Sequence, residues 1–146
     1  MYYEIIRSLN FIAMVFREKN LKPTESELEI LTILWKYGPS TVRFVNETLN
    51  EKKPVGYTTT LKFLQIMTEK GMVERSADTR THIYTATLRE EDVQNQMLDK
   101  LLTNVFGGSA KKLVMQALGN HNASPEELKE IRELIKKLEG GKHEHH

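Results

Sequence analysis

Capping residues, glycines and prolines divide residues 21–88 into short segments, and this pattern constrains the fold more than any other feature. Thr24 and Glu27 stand three residues apart before an apolar run, which is the arrangement of a capping box. A first helix is therefore predicted to begin there and to continue to about Tyr37, where Gly38-Pro39 ends it. Its many apolar residues predict a central helix that is covered on several sides.

Two more helices and a hairpin follow. Ser40-Thr41 is expected to cap a second helix, Val42–Asn50, and a turn then leads to a third, Tyr57–Lys70. Alternating β-branched segments at residues 72–75 and 81–86 flank a polar tip and indicate a two-stranded hairpin. Three short helices followed by a hairpin are typical of a winged helix-turn-helix domain.

The third helix has two faces on a helical wheel. With Leu64 at the centre, its apolar side is predicted to be buried, and the opposite side presents Thr59, Lys62 and Ile66. A recognition helix directs such residues at base edges and phosphates in the major groove. The alternative is a Thr-rich first turn that only caps the helix, with Lys62 as a solvated surface lysine. The predicted DNA-binding residues are Thr41, Lys52, Lys53, Tyr57, Thr58, Thr59, Lys62, Ile66, Arg75, Arg80 and His82. The apolar side of the wheel consists of Tyr57, Thr60, Leu61, Leu64, Met67 and Thr68.

The distribution of charge favours nucleic-acid binding by one local surface of the protein and not by the protein as a whole. The 146 residues have a formal net charge of +1, which argues against a protein that coats nucleic acid by charge alone. Residues 52–82 nevertheless hold six basic and three acidic side chains, on the turn, the third helix and the hairpin. Arg80 and His82 on the wing could meet a phosphate or a minor groove.

Beyond Leu88 the chain predicts three amphipathic helices, separated by Gly107-Gly108 and by the segment before Ser124-Pro125. Three small helices with this much apolar surface cannot easily bury it alone, so we expect them to pair with a second copy of the chain. Packing on the chain's own N-terminal domain is the alternative. The predicted dimerisation residues are Met97, Leu98, Leu101, Leu102, Val105, Phe106, Leu113, Val114, Leu118, Ile131 and Ile135.

The predicted fold is mainly α with a small β-hairpin wing: a winged helix-turn-helix domain plus a C-terminal three-helix dimerisation domain. The expected divisions are an N-terminal extension at 1–20, a DNA-binding domain at 21–88, a helical domain at 89–139 and a disordered tail at 140–146. The extension is a short helix that docks through residues such as Ile12 and Phe16, or a frayed segment, or the result of an upstream start codon with Met14 as the real initiator.

Several classes of protein are excluded or disfavoured. The absence of cysteine excludes disulfides, a thiolate nucleophile and cysteine-ligated metals, and predicts a reducing, cytoplasmic setting. No membrane-spanning segment, cofactor motif or catalytic constellation stands out, so we expect neither an enzyme nor a membrane protein. The histidines of the tail could bind a divalent metal weakly, but a solvated tail is favoured and no metal site is predicted.

Five runs between residues 21 and 138 together resemble the penicillinase repressor family of winged-helix regulators. They are TESELEILTILWKYGPSTVRFVNETLN, GYTTTLKFLQIMTEKGMVER, RTHIYTA, FGGSAKKLV and SPEELKEIRELI. The resemblance implies a transcriptional repressor that binds a palindromic double-stranded DNA operator as a homodimer joined by its C-terminal helices. Its recognition positions match Thr58, Thr59 and Lys62 here. An upstream sensor or protease is left open as a further partner.

Three features depart from that family's pattern. Ile66 stands where many members have an arginine, so one polar contact is missing. Gln116-Ala117 aligns with the Asn-Phe bond whose cleavage inactivates the β-lactam-controlled members, which puts that route of induction in doubt. Copper-responsive members use C-terminal cysteines, which this chain lacks.

A second function remains open from the sequence. The Thr59, Lys62 and Ile66 face could meet a protein partner, which would make the domain a winged-helix interaction module without specific DNA binding. An exposed Ile66 and the low net charge are the features that favour it.

Overall fold

The computed structural model describes residue 4 and residues 22–76 and 80–144. The chain divides into two compact units, residues 1–98 and 99–146. The N-terminal extension, for which a docking helix was one of the alternatives left open, lies outside the described residues, except for Glu4, which is helical.

The first unit contains the predicted helices and hairpin together with one unpredicted strand. The elements are α1 (Glu25–Tyr37), β1 (Ser40–Thr41), α2 (Val42–Asn50), α3 (Tyr57–Lys70), β2 (Val73–Arg75) and β3 (Ile83–Ala86). The sheet is antiparallel with the order β1-β3-β2, and Ser40 pairs with Tyr84. A segment of two residues is too short to show the alternation of buried and exposed side chains that predicts a strand. β1 is a strand only because it pairs with β3.

The start of α1 confirms the capping box. The Thr24 hydroxyl accepts from the Glu27 amide at 3.2 Å, and the Thr24 amide donates to Glu27 Oε1 at 2.9 Å. The helix is central, as predicted, because Ile30, Leu31 and Leu34 are buried in the core of the first unit. That core also contains Ile33, Val42, Val45, Leu64, Met67, Met72, Val73, Tyr84, Leu88 and Val93.

Helix α4 (Glu90–Asn104) contributes its first half to the first unit. Val93 is buried in that core and Met97 packs against it. The indole nitrogen of Trp35 also donates to the Leu88 carbonyl at 2.8 Å, which ties α1 to the segment that precedes α4. The first compact unit therefore extends to Leu98, into the helix that the sequence assigns to the C-terminal domain. Met97, which is also one of the predicted pairing residues, is partly buried against this core, and its part in pairing stays a prediction.

The second unit consists of the end of α4 with α5 (Ala110–Asn120) and α6 (Pro125–Glu144). Ser109 caps α5 by accepting from the Lys112 amide at 3.2 Å. Helix α6 runs through Gly140 and Gly141, where the sequence predicts a disordered tail. A glycine destabilises a helix by about 1 kcal/mol relative to alanine. This penalty is too small to end a helix whose earlier turns are already formed.

Candidate nucleic-acid interface

Two asparagines of α2 hold the turn that leads into α3. The Asn46 amide nitrogen donates to the Val55 carbonyl and to the Thr60 hydroxyl, both at 2.9 Å. The side chain of Asn50 donates to the same carbonyl at 2.9 Å and accepts from the Val55 amide at 3.1 Å. The turn therefore enters α3 in a defined geometry although its N-cap, Gly56, has no side chain. We did not predict this network; two asparagines four residues apart before a Pro- and Gly-containing turn were its signal in the sequence.

Helix α3 presents the polar face that the helical wheel selects. Thr60, Leu64 and Met67 are buried, as predicted, whereas Thr58, Thr59 and Lys62 are exposed. Leu61 and Thr68, also expected on the apolar side, are half-buried, and so is Ile66 on the polar side.

The exposure of Tyr57 differs from what the helical wheel predicts. Tyr57 is 52% exposed although its angular position matches that of the buried residues. A wheel assumes that neighbouring elements cover the helix along its whole length, but the first turn of α3 is largely uncovered.

Gln65, absent from the predicted site, is also exposed on this helix.

Five of the six basic residues expected in this region remain available to a ligand. Among the residues that the structure describes, none of the five takes part in an ion pair. They are Lys52, Lys53, Lys62, Arg75 and Arg80, and all are exposed. The sixth, Lys70, is bound by Glu27 at 2.8 Å, so it adds no free positive charge to the face.

The Glu27–Lys70 pair joins the start of α1 to the last residue of α3. Glu27 is only 2% exposed, and Lys70 is partly exposed. Burial raises the pKa of the Glu27 carboxyl, but hydrogen bonds from Lys70 and from the Thr24 amide and hydroxyl outweigh it, and the pKa is lowered from 4.5. The carboxylate is therefore charged near neutral pH and anchors the end of the helix, where Gly71 turns the chain with φ of 82°.

The hairpin presents the remaining predicted residues of the wing. Ser76 links the strands: its amide donates to the Ile83 carbonyl at 2.9 Å, and its hydroxyl accepts from the Ile83 amide at 3.0 Å. His82 is exposed, with Nδ1 3.4 Å from the Ser76 carbonyl oxygen. Gln65, Glu69 and Arg75 line an open groove between α3 and the strands of the hairpin.

Thr41 has a structural role that the sequence also predicts. Its hydroxyl oxygen accepts from the Phe44 amide at 3.1 Å and so caps α2. The hydroxyl hydrogen can still donate to a phosphate, because capping uses only a lone pair.

The second unit exposes much of its apolar surface. Between residues 99 and 141, where every side chain is described, none is buried. Of the predicted pairing residues, Leu102, Phe106, Leu113 and Ile131 are half-buried, and Leu98, Leu101, Val105, Val114, Leu118 and Ile135 are exposed. Met115, Leu128, Leu134 and Leu138 are exposed as well and were not in the predicted set.

The described ranges contain neither a metal-binding cluster nor a membrane-spanning helix. No three histidine, aspartate or glutamate side chains there are grouped in a way that could hold a metal ion. No helix in these ranges is long and apolar enough to cross a membrane.

A family model described as penicillinase repressor matches residues 23–137. The chain belongs to the penicillinase repressor family. The three helices and the antiparallel hairpin of the first unit agree with that membership.

The curated relatives align over most of the chain. The transcriptional regulator BlaI of Mycobacterium tuberculosis is 30% identical over 117 residues, 79% of this chain and 83% of its own. The penicillinase repressor of Bacillus licheniformis is 22% identical over 83% of this chain and 94% of its own. The methicillin resistance regulatory protein MecI of Staphylococcus aureus is 20% identical over 82% and 97%, respectively.

Proposed function

We propose that this protein is a transcriptional repressor that binds a palindromic DNA operator as a homodimer and thereby occludes a promoter. The observation that carries the proposal is the exposed face of α3, where Thr58, Thr59 and Lys62 project from a rigidly held helix-turn-helix. Hydroxyls and a lysine at the start of such a helix suit phosphate and base contacts in the major groove.

Charged residues around α3 support the same function. Lys52 and Lys53 lie on the turn before the helix, and Arg75 and Arg80 lie on the hairpin after it. These side chains flank the proposed reading helix on two sides and can neutralise phosphates. The names of the relatives, penicillinase repressor among them, agree with repression as the outcome.

Pairing through the second unit is the other half of the proposal. A unit without a buried side chain between residues 99 and 141 gains little from hydrophobic burial alone, and a second copy would cover its exposed leucines, valines and isoleucines. Two reading helices on one palindrome would also increase the apparent affinity of a weakly charged domain.

Operator selection tests the proposal directly. The full-length protein would be incubated with random and genomic DNA, and the bound fraction sequenced through successive rounds. We expect a two-fold symmetric motif whose half-sites are about one helical turn apart, or a multiple of it. Recovery of no enriched motif would contradict operator binding and would favour a protein-interaction module.

Salt dependence provides an independent test. Binding to a recovered operator should weaken steeply as salt rises from low to moderate concentration, because neutralised phosphates release counterions. A contact centred on Ile66 with a protein partner would not behave in this way. The half-buried Ile66 offers less apolar surface than the sequence suggests, which weakens that alternative.

A further inference from the structure

Gln65 extends the exposed face of α3 beyond the residues that the helical wheel selected. It lies three residues after Lys62 and seven after Thr58, so the three side chains follow one another along the same side of the helix. The Gln65 side chain is exposed and makes no hydrogen bond to any other residue that the structure describes. It is therefore free to bind a ligand without breaking an existing contact.

We propose that Gln65 is a specificity-determining residue that reads an adenine beside the position that Lys62 reaches in the major groove; this inference rests on the proposed operator binding. An amide side chain carries a donor and an acceptor, and it can bind adenine N6 and N7 together in the major groove. Three residues advance a helix by about 4.5 Å. Successive bases on a strand are about 3.4 Å apart, so Lys62 and Gln65 suit neighbouring pairs.

The distribution of charge along α3 marks Gln65 as the last reading position. Glu69, one turn farther along the same face, is exposed, and a carboxylate there would be repelled by phosphates. Across the open groove from α3, Arg75 is exposed on the hairpin and can neutralise a phosphate beside the base that Gln65 reads. Thr58, Lys62 and Gln65 thus form an uncharged or basic row that ends before Glu69.

The test compares the operator motifs selected by the full-length wild type, Gln65→Ala and Gln65→Glu. We expect the wild type to prefer adenine at one symmetric position in each half-site, by about tenfold or more. Gln65→Ala should lose that preference while the rest of the motif is kept. Gln65→Glu should move the preference towards cytosine, whose N4 amino group donates to a carboxylate. Gln94→Ala, an exposed glutamine on α4, is the matched control and should leave the motif unchanged.

The outcomes separate this inference from the function on which it rests. If the wild type selects no motif, operator binding itself fails. If the wild type selects a motif that Gln65→Ala leaves unchanged, Gln65 does not read a base, and the inference is overturned. A uniform loss of affinity with an unchanged motif also overturns it, since that is the result of a phosphate contact. Thermal unfolding of each variant should match the wild type because the replaced side chain is exposed.

Discussion

Lys62 holds the positive charge at the middle of the exposed face of α3, with threonines one turn before it. Replacing it with alanine should weaken operator binding by about 1–3 kcal/mol per half-site if the lysine reads a base, and by less if it holds a phosphate. Fluorescence anisotropy with a labelled operator measures the change. Lys129→Ala, on an exposed position of α6, is the matched control. Equal affinity of Lys62→Ala and wild type would remove Lys62 from the interface.

Glu27 should make the stability of the first unit depend on pH below its ordinary pKa. Because its pKa is lowered in the folded chain, its stabilising contribution is fully present above pH 4.5 and is lost as pH falls through the folded value. Glu27→Gln should therefore reduce the free energy of unfolding at neutral pH by about 1–3 kcal/mol. The difference from wild type should shrink in acid.

Urea unfolding of both proteins at a series of pH values measures this difference. Glu25→Gln is the matched control, because it replaces an exposed carboxylate in the same first turn. The control should change the free energy of unfolding by less than about 0.5 kcal/mol. A Glu27→Gln deficit that stays constant between pH 7 and pH 3 would contradict a role for the Glu27 charge.

At the scale of elements, the link between α2 and α3 depends on Asn46. Its replacement by alanine removes the donor to both the Val55 carbonyl and the Thr60 hydroxyl, and Thr60 is buried. We expect a loss of about 1–3 kcal/mol in the free energy of unfolding. Operator affinity should fall as well, since the first turn of α3 loses its support.

Chemical denaturation and operator titration, carried out on the same preparations, test this expectation. Asn95→Ala is the matched control because Asn95 is exposed on α4. If Asn46→Ala is as stable as the wild type, the hydrogen bonds of the turn are not what holds α3.

At the scale of the whole molecule, the exposed apolar side chains of the second unit should control oligomeric state. Ile135 is 48% exposed on α6, in line with other apolar positions. Ile135→Glu would bury a charge in the proposed interface and should shift the protein from dimer to monomer at micromolar concentration. Lys129→Glu, on the polar side of the same helix, should leave the dimer intact. Light scattering or sedimentation distinguishes these states, and a monomeric wild type would refute the pairing.

Local signals account for most of the architecture that could be predicted. Caps such as Thr24, Thr41 and Ser109 and the break at Gly71 act within a few residues, so the bounds of the helices follow from the chain itself. The buried and exposed sides of α3 near Leu64 follow in the same way from helical periodicity. The exposed face of α3 could be predicted from the sequence for that reason, although its use in DNA binding stays a prediction.

The remaining features depend on residues that are distant in sequence. Glu27 is 43 residues from Lys70, and only folding brings the carboxylate and ammonium to 2.8 Å, which removes a cation that the sequence counts as free. The pairing of β1 with β3, the packing of Met97 on the first unit and the exposure of Tyr57 are decided by neighbours in the same way. Hydrogen-bonding and burial energies of this kind arise only when the whole chain is assembled. Periodicity and caps therefore determine which helices and strands form, and tertiary contacts determine which of their side chains remain available to a partner.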